Sequence, residues 1–550
     1  MAGMAGLARP ARALDGAAVR TAPSTPLCLD RPAMNLATGK LAFIFVMALL
    51  LAWAGAWLLA RRYRAAMQGL MRAPQTEVPA APVPPVRAAL PGNAEPARPV
   101  SLAQNRRAGV RLTLWLVGLS ALMAVSSAWL MLAIDADASL LSAKRVAVVA
   151  LVHAWPAIPA IGLLWRWSAW RVLGALLAWC ALCFAVMLWR SIEPQPMALL
   201  LFLAIDIGAP LLLVALLCLG QTSRAAAPWL LPPLLGLVWA SIAGIDLLAW
   251  LVEQRSPWVF GFPSWFIPHG VMAVFALLPW LVAWWPLRWL GRALGRAYAR
   301  QQLAEGLVLF TAVWAVALLV QALTSASRAG LAGAALLLPL LWIPLAVALW
   351  RRLPRVTGRP PTLLVLRVFQ HDEQVQSLFD QVVQRWRLTG NTVLIAGTDL
   401  VDRTLDAADI FTFLDGGLAQ RFIHVPADVA PRLEAFDLAP DADGRFRVNE
   451  CYCHDSTWQQ ALAALEASCD TVLMDLRGFQ AHNAGCRFEL GTLAAVQRRT
   501  RVVVLVDAHT DRACALADVA DAPAGRFVWL DAVRIDRATR SAVLRALFAP

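Results

Sequence analysis

The chain has 550 residues, of which 59% are hydrophobic, and its mean hydropathy is +0.59. This composition excludes a single ordinary soluble domain and favours a protein that is largely embedded in a membrane. The net charge of +13 comes mainly from arginines near the apolar segments, so we interpret it as a signal of membrane topology and expect no nucleic-acid partner.

The chain begins with a segment that predicts no regular element. Residues 1–33 are rich in Ala, Arg and Pro, and we expect residues 1–40 to be a disordered tail in which Met34 is an alternative start. A first transmembrane helix is predicted over residues 41–60. Residues 61–111 open with a cluster of arginines and then become rich in Pro and Ala, which predicts a cytoplasmic linker.

Apolar runs of about 20 residues have the length needed to cross roughly 30 Å of hydrocarbon. The sequence predicts nine such spans, the first at 41–60 and eight more within residues 112–350. The predicted bounds are 41–60, 112–133, 146–165, 169–188, 197–219, 228–251, 270–289, 304–323 and 331–350. The lipid bilayer is therefore an expected partner.

Arginine distribution predicts the orientation of these spans. Alternate connections carry several arginines close to the membrane, whereas the intervening connections carry few. Positively charged loops stay in the cytoplasm, so we expect the N-terminus outside and the C-terminal domain inside. Residues 351–361 are a basic juxtamembrane linker in this interpretation. The expected location is the inner (plasma) membrane of the cell.

Three ionisable side chains stand out inside the predicted spans, away from the span ends: His153, Asp206 and Asp246. Ionisable groups in a membrane are costly, so such residues often serve a function. A cluster could bind a proton, a cation or a polar ligand. The alternative is that these side chains only make hydrogen bonds between helices.

After Trp350 the sequence loses its long apolar runs. Residues 362–550 alternate apolar strand-like runs with helical spacing, about five strands in all. The predicted fold is therefore a multi-pass all-α transmembrane region followed by a soluble α/β domain with a parallel sheet. Helix is predicted over Glu373–Leu388 and over most of Asp406–Ile423.

The segment from Thr471 to Ala508 is the most informative about function. It predicts strand, loop, helix and strand, and it places Glu489 near the start of the helix and beside the carboxyl end of a strand. A carboxylate there can take part in chemistry, and we expect the helix N-terminus to keep Glu489 ionised. The alternative is that Glu489 only favours the positive end of the helix.

The residues of this domain resemble the TIR family. The strand ending VLRVFQHD, the segment GTDLV after the second strand, and the stretch TVLMDLRGFQAHNAGCRFELGTLA match its pattern of boxes, including Cys-x-x-Glu-Leu. The stretch FELGTLAAVQRRTRVVVLV is also similar to nucleoside 2-deoxyribosyltransferases. The resemblance implies flavodoxin-like layering of helices on the sheet. It also implies that Glu489 is the catalytic carboxylate that acts on an N-glycosidic bond, with Cys486 at the family's cysteine.

This resemblance suggests NAD as a possible substrate, with no cofactor required and no metal. The candidate substrate-binding residues are Arg367, Phe369, Gly397, Asp399, Asp475, Arg477, Phe479 and Cys486. The arginines and the Gly397 backbone could hold phosphates, and a phenylalanine could stack on a ring. The alternatives are a charge at a strand edge for Arg367 and core packing for Phe369 and Phe479.

Three functional hypotheses remain at this point. The protein could be a membrane sensor that gates a cytoplasmic NAD-cleaving enzyme of the glycohydrolase type through homo-oligomers of its TIR-like domain. It could instead be a non-enzymatic signalling protein whose TIR-like domain only binds partners. It could also be a transporter or channel with a regulatory tail, which would use Asp206 and Asp246.

Overall fold

The computed structural model describes residues 31–71, 90–91, 95–135, 141–190, 196–203, 221–352, 357–367, 372–396, 405–453, 457–495 and 500–549. Long apolar helices make up the N-terminal part of the described chain, and a parallel sheet with flanking helices makes up the C-terminal part. The predicted fold class is confirmed.

The membrane region consists of helices with few polar interruptions. Seven described helices are long and apolar enough to cross a membrane, or up to eight if one bent pair is a single span. The helices are α1 (Arg31–Met71), α2 (Leu102–Asp135), α3 (Ala143–His153), α4 (Ala157–Leu164), α5 (Ala169–Arg190), α6 (Pro196–Leu203), α7 (Gln221–Glu253), α8 (Pro257–Phe260), α9 (Met272–Ala299), α10 (Glu305–Ala329) and α11 (Trp342–Arg352). A π-helical turn precedes α9 and a 3-10 segment precedes α11.

Seven of the nine predicted spans correspond to these long helices. The third predicted span is the pair α3 and α4, which meet at an angle of 40° around Pro156, a residue that cannot continue a helical ladder. The fifth, at 197–219, and its Asp206 lie mostly outside the described residues. The predicted linker at 61–111 is shorter in the structure, because α1 continues to Met71 and α2 begins at Leu102. Arg, Ala, Met, Gln and Leu in those turns are good helix formers.

The central helix of the bundle is α10. The fold buries 72% of the most apolar stretch of α10, whereas the corresponding stretch of every other candidate span is at most 33% buried. Large apolar side chains on the other helices are exposed, among them Trp57, Leu114 and Leu281. That exposed surface is what a lipid-facing helix presents, so the structure supports a membrane protein.

The C-terminal domain is built on a sheet of seven parallel strands in the order β3-β4-β2-β1-β5-β6-β7. The strands are β1 (Thr362–Arg367), β2 (Asn391–Ala396), β3 (Phe422–Ile423), β4 (Val448–Cys453), β5 (Thr471–Asp475), β6 (Arg501–Val506) and β7 (Phe527–Asp531). The helices are α12 (Asp372–Leu378), α13 (Gln384–Trp386), α14 (Ala407–Asp415), α15 (Val429–Glu434), α16 (Trp458–Glu466), α17 (Ala484–Ala495), α18 (Arg512–Asp518) and α19 (Arg537–Leu547).

The strands β2-β1-β5-β6-β7 have the order of the flavodoxin-like fold. Strands β4 and β3 extend the sheet beyond β2, so the count exceeds the predicted five. The prediction of helix over most of 406–423 is confirmed by Ala407–Asp415 and by a 3-10 turn at Leu418–Arg421, and the last two residues, Phe422 and Ile423, pair with β4. Helix 373–388 is interrupted by a π-helical turn at Phe379–Val383.

The α/β domain lies against one end of the helical bundle. One continuous core contains Ala60, Tyr63 and Met67 of α1 together with Leu363 and Val365 of β1. Tyr63 makes an edge-to-face contact with Phe413 at 6.1 Å between ring centroids. Burial of these apolar groups on both sides of the junction holds the two parts together.

Helix α14 is the domain element closest to the bundle. Phe411 contacts Trp229 of α7 and Tyr298 of α9, with ring centroids 5.7 and 5.6 Å apart. A Cβ atom at Gly295 would lie 3.0 Å from the Phe411 carbonyl oxygen, so the glycine permits this close approach. The end of α1, the starts of α2, α7 and α10 and the end of α9 all contact the domain. Arginines are concentrated at three of these ends, the end of α1, the start of α2 and the end of α9.

Reporter fusions test whether these helix ends and the α/β domain lie on the same side of the membrane. Fusions after Met71 and after Arg352 should report the same compartment as a C-terminal fusion, because all three positions lie at the domain end of the bundle. A fusion at Pro257, beyond the opposite end of α7, should report the other compartment. Paired alkaline phosphatase and fluorescent protein fusions measure this. Equal signals from Pro257 and the C-terminus would contradict the arrangement.

Candidate active site

The topology of the sheet creates one position where ligands are expected. From β1 the chain forms β2 beside it, then the edge strand β3, and then β4 between β3 and β2. It next crosses β1 and forms β5 on the other side. Such a reversal opens a crevice at the carboxyl ends of the two central strands. Arg367 ends β1 and Asp475 ends β5, and these two residues are register partners. The sequence-predicted residues Arg367 and Asp475 therefore meet at the switch point.

Glu489 lies on α17, the helix that follows β5. Its side chain is buried, with 5% exposure, and its Oε2 atom has no hydrogen-bond partner among the described residues. Burial raises the pKa of Glu489 to about 8, and the nearby positive charge of Arg367 only partly offsets this. The expectation that the helix N-terminus keeps Glu489 ionised was wrong. Glu489 is in the second turn of α17, where the dipole effect has weakened, so desolvation dominates.

Cys486 joins Glu489 and Arg367 in one buried cluster. It precedes Glu489 by three residues, which places both on one face of α17. Its Sγ atom is 3.9 Å from the backbone carbonyl oxygen of Arg367. Burial raises the pKa of the Cys486 thiol, and the neighbouring Glu489 raises it further. The thiol is therefore neutral and belongs to the wall of the site, as its buried position indicates.

Arg477 is held by Asp475 two residues earlier. Arg477 Nε donates to Asp475 Oδ1 at 2.7 Å, and Nη2 donates to Oδ2. Both side chains are almost fully buried. Such a bidentate pair is geometrically specific, so this arginine fixes the end of β5 and the turn after it.

Phe479 lies in the apolar core beneath the switch point. It is fully buried, and its backbone closes the loop after β5 by accepting a hydrogen bond from the Asp511 amide at 2.8 Å. Gly478 before it has φ of 73°, a conformation that favours glycine. A phenylalanine in this position supports the loop from below and presents no ring face to solvent.

Asp507 was not identified from the sequence, although it follows the apolar run of β6 directly. Its Oδ1 atom accepts hydrogen bonds from the Gly478 amide at 3.0 Å, the His509 amide at 3.1 Å and the Thr510 hydroxyl at 2.9 Å. Burial raises the pKa of Asp507, but these hydrogen bonds outweigh it and the net shift is downward. Asp507 therefore anchors the loop between β5 and α17 as a carboxylate.

The remaining predicted residues either lie outside the described part of the chain or have other partners. Phe369, Gly397 and Asp399 lie outside the described residues, as does Asp206. In the membrane region, Asp246 forms an ion pair with Lys40 of α1 at 2.7 Å. The Nδ1 atom of His153 is 2.8 Å from the Val149 carbonyl oxygen of its own helix. The two described residues thus have separate structural partners.

Within the described ranges, no group of three or more His, Cys, Asp and Glu side chains could hold a metal ion. No protein-family model, curated protein or solved structure matches this chain. The interpretation of the site therefore depends on the residues and geometry of this chain alone.

Replacing Glu489 with glutamine should stabilise the protein. In the unfolded chain this carboxyl ionises near its ordinary pKa of 4.5, whereas in the fold its pKa is about 8. The folded state therefore binds the proton more tightly, and the parent loses stability as the pH rises from 4.5 to 8. The total loss is on the order of a few kcal/mol. Thermal unfolding in detergent at several pH values measures it.

The expected result is a melting temperature for Glu489→Gln above that of the parent, with a gap that widens across this pH window. Glu434→Gln is the matched control, because Glu434 is exposed at the end of α15. A parent and a Glu489→Gln variant with the same pH dependence would show that Glu489 is not desolvated.

Proposed function

We propose that this protein is an integral membrane protein whose α/β domain cleaves an N-glycosidic bond in NAD, with Glu489 as the catalytic carboxylate. The observation that carries the proposal is a buried carboxylate at the switch point of a parallel sheet, with one oxygen lacking a hydrogen-bond partner among the described residues. An uncompensated buried acid reduces stability, and such groups concentrate at functional sites.

The chemistry matches this residue type. Cleavage of the bond between ribose C1′ and the nicotinamide nitrogen sends the electron pair to nicotinamide and leaves a ribosyl cation. A carboxylate beside C1′ stabilises that cation or bonds to it, and water then yields ADP-ribose. The positive nicotinamide riboside would favour the ionised form of Glu489 on binding. Arg367, at the end of β1, is the candidate for holding a phosphate.

The domain is proposed to face the cytoplasm. The arginine-rich helix ends lie on the side of the bundle that the domain contacts, and positively charged ends remain cytoplasmic. NAD is available there. Association of several copies of the domain in the plane of the membrane would couple a membrane signal to the reaction.

A second candidate function is a non-enzymatic signalling module. It is favoured by the internal use of Arg477 and Phe479, which the enzyme hypothesis assigned to substrate. In that case Glu489 would be a structural acid, and partners would bind the outer surface of the domain.

The decisive experiment is an assay of nicotinamide release by the full chain in lipid nanodiscs, both dispersed and crowded on a bead surface. The full chain is required because residues of α1 belong to the core of the domain. Release of nicotinamide and ADP-ribose in equal amounts supports the enzyme. No release from the crowded form would reject it in favour of the signalling module.

A further inference from the structure

A cavity of about 550 Å³ lies where the membrane helices meet the α/β domain. It is lined by the segment before α2, the first turns of α2, the end of α11 and the loop at 438–446 before β4. Neither Glu489 nor any other residue of the switch point lines it. The cavity is thus separate from the proposed active site.

Arginines dominate the charge of this cavity. Arg107 and Arg111 are four residues apart on α2, so both side chains leave the same face of the helix. Both are exposed, and among the described residues neither has a carboxylate partner. Arg98 also lines the cavity and donates to the Thr389 carbonyl oxygen at 3.4 Å.

The acidic residues that line the cavity are already neutralised. Asp443 Oδ2 accepts from Arg445 Nε at 2.8 Å. Asp441 Oδ1 accepts from Arg447 Nε at 2.8 Å. The surplus charge of the cavity is therefore positive, and a negatively charged ligand would find arginines without competing carboxylates.

Tryptophan and arginine side chains border the cavity where two candidate membrane spans end. The Arg111 guanidinium lies 5.3 Å from the ring centroid of Trp350, in the last turn of α11. Trp350 in turn contacts Trp115 of α2, with ring centroids 5.0 Å apart. Tryptophan and arginine at the ends of spans occupy the headgroup layer. This pairing of side chains is the one expected at the depth of lipid phosphates.

We propose that this cavity binds a phosphate-bearing ligand, supplied either by the headgroup of an anionic phospholipid or by a soluble organic phosphate. Arginine recognises phosphate through paired donors, and basic pockets beside span ends bind anionic headgroups. A ligand there would contact α2 on one side and the loop before β4 on the other. Its binding stabilises the contact between the bundle and the domain, whether or not the domain cleaves NAD.

Thermal unfolding of the full chain in detergent tests the proposal with three probes. These are dihexanoyl-phosphatidylglycerol, dihexanoyl-phosphatidylcholine and inorganic pyrophosphate. A ligand that binds only the folded state raises the melting temperature with its concentration. A rise with phosphatidylglycerol alone identifies a lipid headgroup site, and a rise with pyrophosphate identifies a soluble phosphate site. No rise with either anion overturns the proposal.

The variant Arg107→Gln/Arg111→Gln should weaken the apparent affinity by about thirtyfold, since each arginine contributes roughly fivefold near an anionic surface. The matched control is Arg61→Gln/Arg106→Gln, which removes two arginines outside the cavity, one of them 5.5 Å from the Trp57 ring. An unchanged affinity in the cavity variant rejects the site. Arg107→Glu is a second variant that changes one exposed side chain and keeps the contact of Arg111 with Trp350.

Discussion

Replacing Glu489 with alanine should reduce nicotinamide release by about a hundredfold or more, because the variant loses the group that stabilises the ribosyl cation. Glu489→Gln should be equally inactive while melting at a higher temperature than the parent, which separates catalysis from folding. Initial rates over a range of NAD concentrations, measured in nanodiscs, provide kcat and KM.

The dependence of kcat/KM on pH is an independent test of the role of Glu489. If the ionised carboxylate is required, kcat/KM should rise with pH through the pKa of free Glu489, which is about 8. Glu434→Gln is the control that should retain the parent rate and profile. Release of nicotinamide that survives Glu489→Ala would assign the chemistry to another residue. Arg477→Ala is a poor test of phosphate binding, because it would leave Asp475 buried without its main cation.

Replacing Arg166 with asparagine should loosen the α/β domain from the bundle. The Arg166 guanidinium lies 2.7 Å from Asp406, 3.2 Å from Asp380 and 3.4 Å from Glu305. Its loss leaves three acids close together, and breaking such a partly buried group costs about 3–5 kcal/mol. Asparagine is chosen because Arg166 has φ of 52°, which asparagine tolerates.

The expected result is a lower melting temperature and faster trypsin cleavage in the segment between α11 and β1. Arg171→Gln is the matched control, because this exposed arginine lies 4.3 Å from the Trp167 ring centroid and has no carboxylate partner among the described residues. Equal protease resistance of parent and Arg166→Asn would show that the apolar contacts of Phe411 and Tyr63 alone hold the domain.

The pattern of apolar and polar residues was sufficient to predict the structural features that depend on residues close together in the sequence. The apolar run before Asp475 and the helical spacing around Glu489 were sufficient to place this acid beside the end of β5. The role of Arg166 was not predictable in the same way, since its partners Glu305 and Asp406 are 139 and 240 residues away. From the sequence it counted only as a positive charge near a span.

The protonation of Glu489 was also misjudged, and for a related reason. A helix start predicts a lowered pKa, but burial in the assembled domain raises the pKa of Glu489, and Arg367 of β1 opposes that rise only in part. Solvent exclusion is a property of the assembled fold. The same holds for Arg477, whose pairing with Asp475 depends on the turn that Gly478 and Asp507 shape.

The presence of Tyr63 and Met67 in the core of the α/β domain has a consequence for biosynthesis. Helix α1 leaves the ribosome long before β1, so part of the domain's interior is already anchored to a membrane helix when the first strand is made. The domain then completes its core on a surface that the membrane has fixed in orientation. Gene fusions that transplant residues 357–550 to another membrane anchor should therefore yield an insoluble domain unless they carry the end of α1 as well.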